Sequence, residues 1–455
     1  MDKRISTDVF VIPLLDRRYL VYAPLRRTAF ITNAAMVELL DCLKHNNLNS
    51  IGEDENKYIN FLKEIRLLGK EGDFPISTYR HASFKPTEAT LFLTTRCNLR
   101  CIYCYAMSGD QPLIDMSLKT AKAGIEFVCR NSLELGRKDF FVGYHGGGEP
   151  TVNWDVLTDS FEYAKKIARN NGLEVIGSIA TNGILSQKQL EWIVKNLDGV
   201  NLSIDGLQSI QDLQRPKLSG RPSFPDIMRT VEFFDRVNYG YGIRVTVTKA
   251  SINQLPESIT FLLEKTKPGQ IQIEPVYKLG RGSKTGLEVD PEEFIAAFRK
   301  AKAIANAAGL KLFYSGARLD TLTNRFCIGC GEGFSLTPRG LVSACYEVPG
   351  EEFPFAEEFI FGRYDSELEC FSFDFDKINL LRNKTVEQID WCRDCFCKWH
   401  CAGDCAYKKR HNAINGEFYG DARCEITRAL TVDQILDKLS SNGGVFWAEN
   451  LQRKF

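Results

Sequence analysis

Apolar positions along this chain follow two alternating rhythms. Between residues 89 and 308, short apolar runs rich in β-branched residues alternate with segments whose apolar positions recur every three to four residues. The runs predict strands at Ala89–Thr95, Asp139–Tyr144, Glu174–Ala180, Val200–Ile204, Ile243–Thr248 and Ile271–Val276. The periodic segments predict helices at Ser117–Leu135, Trp154–Asn170, Gln187–Lys195, Phe224–Phe234, Leu255–Lys265 and Pro291–Ala308. One such unit falls about every 30 residues, which is the βαβ pattern of a parallel, curved sheet. Sites in such sheets lie at the C-terminal ends of the strands.

Outside this stretch the rhythm changes. Val9–Pro13, Tyr19–Tyr22 and Ala29–Ile31 read as short strands. Ala34–Leu43 and Tyr58–Leu68 then read as amphipathic helices, with Leu39, Leu40 and Leu43 on one side and Phe61, Leu62 and Ile65 likewise. After residue 309 periodicity fades, and Gly, Cys and aromatic residues dominate, as in a small metal-organised domain. The expected division is 1–82, 83–309, 310–430 and a C-terminal tail at 431–455. The fold class is α/β.

The 455 residues include 58 basic and 58 acidic residues, a net charge of zero. That balance argues against a nucleic-acid or acidic-membrane partner bound by bulk positive charge. No apolar run reaches the roughly 18–20 residues of a membrane span, and MDKRISTDVF lacks a signal-peptide core, so a cytoplasmic location is expected. Cysteine changes the picture: there are 15, in a chain much too large to need disulfide staples. In a reducing compartment, clustered thiols more often bind metal.

Cys97, Cys101 and Cys104 form a C-x3-C-x2-C loop directly after an apolar strand. Three thiolates suit an iron–sulfur cube better than structural zinc, which wants four closed ligands. A cube on three cysteines leaves one iron open. A zinc loop completed by a distant Cys or His is the alternative. The spacing, with Tyr103 before the last cysteine, resembles the radical S-adenosylmethionine (SAM) enzymes. The resemblance implies a partial (β/α)6 TIM-like barrel. It also implies a SAM-binding 4Fe–4S cluster whose open iron chelates the methionine part, and reductive cleavage of SAM to a 5′-deoxyadenosyl radical that abstracts hydrogen. Gly146-Gly147-Gly148-Glu149-Pro150 looks like the family's GGE motif, with Gly148 and Glu149 at the methionine amino group. Ser203-Ile204-Asp205-Gly206 resembles its S-x-D-G segment, and Arg215 sits where relatives place an arginine on the SAM carboxylate. Thr181-Asn182-Gly183 and Glu274-Pro275-Val276-Tyr277 match further strand-end segments, with Tyr277 either an adenine contact or a packed aromatic. Arg244, inside the fifth strand, either lines the barrel or pairs structurally.

A second cysteine field, Cys392-x2-Cys395-x5-Cys401-x3-Cys405 and then Cys424, follows Cys327, Cys330 and Gly340-x4-Cys345. It is similar to the SPASM domain, which carries two auxiliary 4Fe–4S clusters. Carried over, cluster I takes Cys327, Cys330, Cys345 and Cys405. Cluster II takes Cys392, Cys395, Cys401 and Cys424. With the SAM cluster this makes three clusters in all. Cys42, Cys129 and Cys370 read as buried thiols, whereas Cys397 lies within the ligand loop as a possible replacement. His400 reads as a loop residue rather than a ligand. Zinc in the four-cysteine sites remains the alternative.

In the sulfatase-maturating branch of this family an Asp follows the G-x4-C cysteine. Here Cys345 is followed by Tyr346, and Glu347 would point the other way in an extended segment. The N-terminal strands and helices instead resemble the winged-helix element that ribosomal-peptide maturases use to bind a leader peptide as an added strand. The expected function is therefore peptide maturation on a ribosomally made precursor, with flavodoxin or ferredoxin as electron donor and no nucleic-acid or membrane partner. The rival readings are a formylglycine-forming sulfatase maturase, another SPASM dehydrogenase, or a non-catalytic zinc protein.

Overall fold

The computed structural model describes residues 5, 8–45, 53–65, 67–68, 83–110, 112–284 and 286–448. The chain opens with β1 (Phe10–Pro13), β2 (Tyr19–Ala23) and β3 (Thr28–Thr32), which pair antiparallel, then α1 (Ala34–Lys44) and α2 (Glu53–Glu64). Successive side chains on a strand face opposite ways. Val21, Ala23 and Phe30 thus meet Met36, Leu39, Leu40 and Leu43 of α1 and Leu62 of α2. Asn33 caps α1 by accepting from the Met36 amide. α2 starts before the expected Tyr58, because its polar first turn carries no apolar period.

The alternation from residue 88 gives β4 (Glu88–Leu91), α3 (Leu118–Glu134), β5 (Asp139–Tyr144), α4 (Trp154–Asn170), β6 (Glu174–Thr181), α5 (Gln187–Asn196) and β7 (Gly199–Ser203). It continues with α6 (Gln208–Gln214), α7 (Phe224–Arg236), β8 (Tyr241–Val247), α8 (Leu255–Lys265), β9 (Gln270–Pro275), α9 (Pro291–Ala307) and β10 (Lys311–Phe313). β4 to β10 pair in parallel and in chain order. The six β/α units expected are all there, and the short β10 adds a seventh strand. Outward residues such as Val142, Leu202, Ile243, Val245 and Ile273 pack with the helices in one core. The alternate positions, among them Ser178, Asn201 and Arg244, are exposed on the inner side of the curved sheet. β4 stops at Leu91 rather than at Thr95. Beyond it the backbone turns to other partners: Phe92 donates to Leu336, Thr95 to Ile114, and Leu93 accepts from Met116.

After β10 come β11 (Ser335–Leu336), β12 (Leu341–Ser343), α10 (Ala356–Phe359), β13 (Ile360–Asp365), β14 (Cys370–Phe373) and α11 (Phe375–Arg382). The chain closes with α12 (Lys398–Cys401), α13 (Ala406–Asn412), α14 (Ala422–Ser440) and β15 (Phe446–Ala448). β11 pairs parallel to β4, and β11 to β14 continue antiparallel, so the described residues form one eleven-stranded sheet. An uncovered β4 would expose a row of unpaired backbone groups, and β11 closes that edge. These strands left no trace in the sequence pattern because several have only two to four residues.

The expected tail from 431 is different in the structure. α14 runs through residue 430 to Ser440, and β15 then pairs antiparallel with β3 of the N-terminal sheet. The second face of that sheet, Leu20, Tyr22 and Ala29, packs on Ile435 and Leu439 of α14 and on Trp447 of β15. The apolar period of α14 is interrupted by polar residues, so its length was not legible. The expected boundary at 82 and the residues after 448 lie outside the described residues.

Candidate active site

The Cys97–Cys104 loop sits where β4 ends, at the C-terminal edge of the parallel strands. It is held on both sides by backbone. Arg100 and Ile102 donate to the carbonyls of Pro216 and Gln214, and Leu218 donates to that of Asn98. The Cys97 sulfur accepts from the Leu99 amide at 3.4 Å and from Asn182 Nδ2 at 3.8 Å, and Cys104 Sγ lies 3.4 Å from Ser108 Oγ. Burial pushes the Cys97 thiol up to about 12 and Cys101 up to about 11. For Cys101 the Arg215 charge acts in the opposite direction, toward the thiolate.

The Gly-rich turn after β5 lies against this loop. Gly148 donates to the Thr94 carbonyl at 2.7 Å, and a Cβ on Gly148 would stand 1.9 Å from the Arg96 carbonyl oxygen, so only glycine fits. Glu149 is buried, and its carboxylate accepts from the Thr151 amide and hydroxyl, from the Thr181 hydroxyl at 2.7 Å and from the Asn182 amide at 2.8 Å. The Glu149 side chain thus ties the turn to Thr181 and Asn182.

Asp205 is a buried hub. Its carboxylate accepts from the Tyr103 hydroxyl, Gln214 Nε2 (2.7 Å), Arg215 Nε (2.9 Å) and Nη2 (3.1 Å), and the Thr246 amide (3.0 Å). These donors fill the lone-pair sites of a carboxylate. Asp205 therefore acts by aiming Tyr103 and Arg215, whose guanidinium lies 5.2 Å from the Tyr103 ring centre. Ser203 ends β7, paired in register with Arg244 of β8. Tyr277 is set differently from a free stacking surface. Lys408 Nζ lies 3.6 Å and the Arg423 guanidinium 4.8 Å from its ring centre, and its hydroxyl donates to Glu274.

Both groups of late cysteines converge across sequence. Burial lifts the Cys345 thiol, and the charges of Cys405 and Cys327 lift it further; Cys327 is in turn affected by Cys330. Cys330 is buried whereas Cys327 is exposed. Cys392, Cys395, Cys401 and Cys424 line one small pocket, together with Cys397 and Arg428. Cys397 is buried, as is His400, which shares a hydrogen bond with the Tyr22 hydroxyl and another with the Thr321 carbonyl at 2.8 Å. Cys42 and Cys370 are exposed rather than buried, because each falls on the solvent side of its element; Cys129 is buried. Among the described residues no three carboxylate, imidazole or thiol groups gather tightly enough to hold one metal ion. The donor sets fit clusters in other respects: all are thiols, buried or half-buried apart from Cys327, and Cys392, Cys395, Cys401 and Cys424 line a common pocket.

Arg281, Arg423 and Lys408, which sequence reasoning passed over, complete the site. Arg281 donates to the Cys101 carbonyl (2.7 Å), the Ser108 carbonyl (2.6 Å) and Asp110 (2.6 Å), clasping the cysteine loop from the β9 side. Arg423 is buried and pairs with both Asp404 and Glu274. Lys408 pairs with Glu347 at 3.2 Å, while Tyr346 turns the other way, its hydroxyl 3.1 Å from Thr90 and its ring 4.9 Å from that of His145. Nothing local marks Arg281, Arg423 or Lys408, since their partners lie as far as 180 positions away.

The sequence model of the Radical SAM superfamily matches residues 91–262, and this stretch is a radical SAM domain. Fe-coproporphyrin III synthase of Methanosarcina barkeri is 30% identical over 195 residues, which is 42% of this chain and 44% of that protein. The chain thus spans about half the length of such curated relatives. In structure, anSMEcpe with bound AdoMet superposes with a TM-score of 0.62 at 17% identity, over 78% of this chain and 95% of that one. SuiB of Streptococcus suis bound to S-adenosylmethionine superposes with a TM-score of 0.53 at 15% identity, over 92% of this chain and 99% of that one. SuiB has also been solved bound to precursor peptide SuiA. No described helix is long and apolar enough to cross a membrane.

Proposed function

We propose that this radical SAM protein is a peptide maturase carrying a SAM-binding cluster on Cys97, Cys101 and Cys104 and two auxiliary clusters. Cluster I is assigned to Cys327, Cys330, Cys345 and Cys405, and cluster II to Cys392, Cys395, Cys401 and Cys424. The carrying observation is the three-cysteine loop at the strand C-termini, packed against the Gly148 turn and beside the Asp205–Arg215–Tyr103 hub. SAM and its cluster, when bound, supply a 5′-deoxyadenosyl radical for hydrogen abstraction. The chain's own residues bind, orient and exclude water. Arg215 offers its remaining guanidinium hydrogens to the SAM carboxylate, with Asp205 fixing the fork. The Gly146–Gly148 backbone receives the methionine ammonium, and Glu149 holds that turn in shape. Ser203 faces the ribose side, and Tyr277 offers adenine its edge. Metal binding displaces the protons that burial keeps on these thiols. Cys397 stays a second-choice thiol in the cluster II cavity.

A precursor peptide as substrate is supported by the likeness to SuiB, which takes in 92% of the chain, against 78% for anSMEcpe. We assign leader binding to the N-terminal sheet. The β3 edge is occupied by β15, so β1 and the short β15 are the edge strands among the described residues, and the longer β1 is the one we assign. Leu14 donates back toward β2, to Arg18, so by alternation the Val11 amide and the donor-less Pro13 nitrogen face outward. A leader strand would pair there. The electron donor is a flavodoxin or ferredoxin. Formylglycine formation is less favoured: Tyr346 stands after Cys345, and Glu347 is engaged by Lys408.

The test is anaerobic co-expression with the short open reading frames beside the gene, read by peptide mass spectrometry, with Cys101→Ala as control. A mass change seen only with wild type supports the reading. SAM cleavage without change in any neighbouring peptide overturns it and directs attention to tetrapyrrole, protein or other small-molecule substrates.

A further inference from the structure

The inner wall of the barrel holds a strongly charged side chain that the SAM site does not use. Arg244 lies mid-strand in β8 between buried Ile243 and Val245, which face the helices, so its own side chain faces the lumen, where it is exposed. Its register neighbours are Ser203 on β7 and Gln272 on β9. The Gln272 amide already donates to Glu274. Three carboxylates of this region have their own cations. Glu274 and Asp404 share Arg423, and Glu347 takes Lys408. The field of Arg244 helps hold the Glu274 carboxyl down, after the larger effect of Arg423. No carboxylate among the described residues lies within ion-pair distance of Arg244 itself.

His145 faces the same lumen from the end of β5. Its Nδ1 is buried and has no hydrogen-bond partner among the described residues, and burial with the Arg244 charge pushes its imidazole down to about 4. The neutral ring has one N–H to give. A guanidinium cannot shed its proton, so any substrate that displaces water from this lumen must bring the counter-charge or leave a buried cation unpaired.

We propose that Arg244, with His145 on the facing wall, forms a carboxylate-binding subsite in the barrel lumen, and that the substrate enters with an anionic carboxylate next to the SAM site. This rests on the peptide-maturase reading and narrows it: the modified segment presents an aspartate, a glutamate or its terminal carboxylate. A tetrapyrrole propionate offers the same group.

The test is anaerobic calorimetric titration of the reconstituted, SAM-loaded holoenzyme with three probes. Two are end-capped pentapeptides identical except for a central Glu or Gln, and the third is coproporphyrin III. The expected result is Glu-peptide binding about tenfold tighter than Gln-peptide binding, a difference abolished in Arg244→Gln and partly kept in Arg244→Lys. Iron content and SAM binding verify that each variant is assembled. Coproporphyrin binding that needs Arg244, with no peptide preference, supports the subsite and moves its source to tetrapyrroles. Equal binding of both peptides together with coproporphyrin affinity unchanged by Arg244→Gln overturns the inference, as does failure of every probe to bind wild type. Formation of 5′-deoxyadenosine, measured in parallel, separates the two claims. Its absence undoes the enzymatic reading, whereas its presence without carboxylate preference undoes only the subsite.

Discussion

Arg281 makes three side-chain hydrogen bonds, two of them to the carbonyls of Cys101 in the cysteine loop and Ser108 just after it, yet lies in an unremarkable Gly280-Arg281-Gly282 turn. Outer-shell partners of this kind orient ligands that would otherwise swing. Arg281→Ala is expected to lower SAM cleavage by about 10–100-fold, with Arg281→Lys restoring little because a point charge cannot span three acceptors. Anaerobic assay of 5′-deoxyadenosine, alongside iron content, checks this; wild-type rates would show that the loop holds itself. Asp205 teaches the complementary lesson. The motif marked the residue, but its five donors show that it serves Tyr103 and Arg215 and has no lone pair left to offer.

β15 is only three residues long, yet it decides the edge of the N-terminal sheet. Trp447 carries most of its burial, packed with Leu20, Tyr22 and Ile435. Trp447→Ala is expected to destabilise the protein by about 3–5 kcal/mol, the usual cost of emptying a buried tryptophan site. Denaturant unfolding measures it, and a loss below about 1 kcal/mol would mean the strand only rests on the sheet. The βα units were legible because each strand and helix repeats its own period over several residues. β11, β12 and β15 were not, because two or three residues hold no period and their pairing is chosen by an edge that needs covering.

Arg423 joins parts of the molecule that are far apart in sequence. It pairs with Glu274 at the end of β9 and with Asp404 in the loop between Cys401 and Cys405, all three buried. The N-terminal sheet is tied to the same region through Tyr22 with His400 and Asp8 with Trp399. Arg423→Gln leaves two buried carboxylates without their cation, and a cost of about 3–5 kcal/mol is expected. On the proposed assignment it should also lower iron content by loosening the loops of both auxiliary clusters, while the SAM cluster stays. Iron analysis with electron paramagnetic resonance reads this out. Retention of all iron with unchanged unfolding would show that Arg423 is dispensable.

The sequence by itself determined the parallel α/β core, the cysteine loop at its first strand end and the Gly-rich turn, because these depend on local period, local spacing and local backbone freedom. It left open what each side chain meets. That Tyr277 lies under Lys408, that α14 carries the chain back to the N-terminal sheet, and that Arg244 faces the lumen without a carboxylate partner among the described residues were decided by tertiary packing. The reason is physical: these partners are brought together by burial and sheet register across long stretches of chain, and no short segment records a contact with residues it never adjoins.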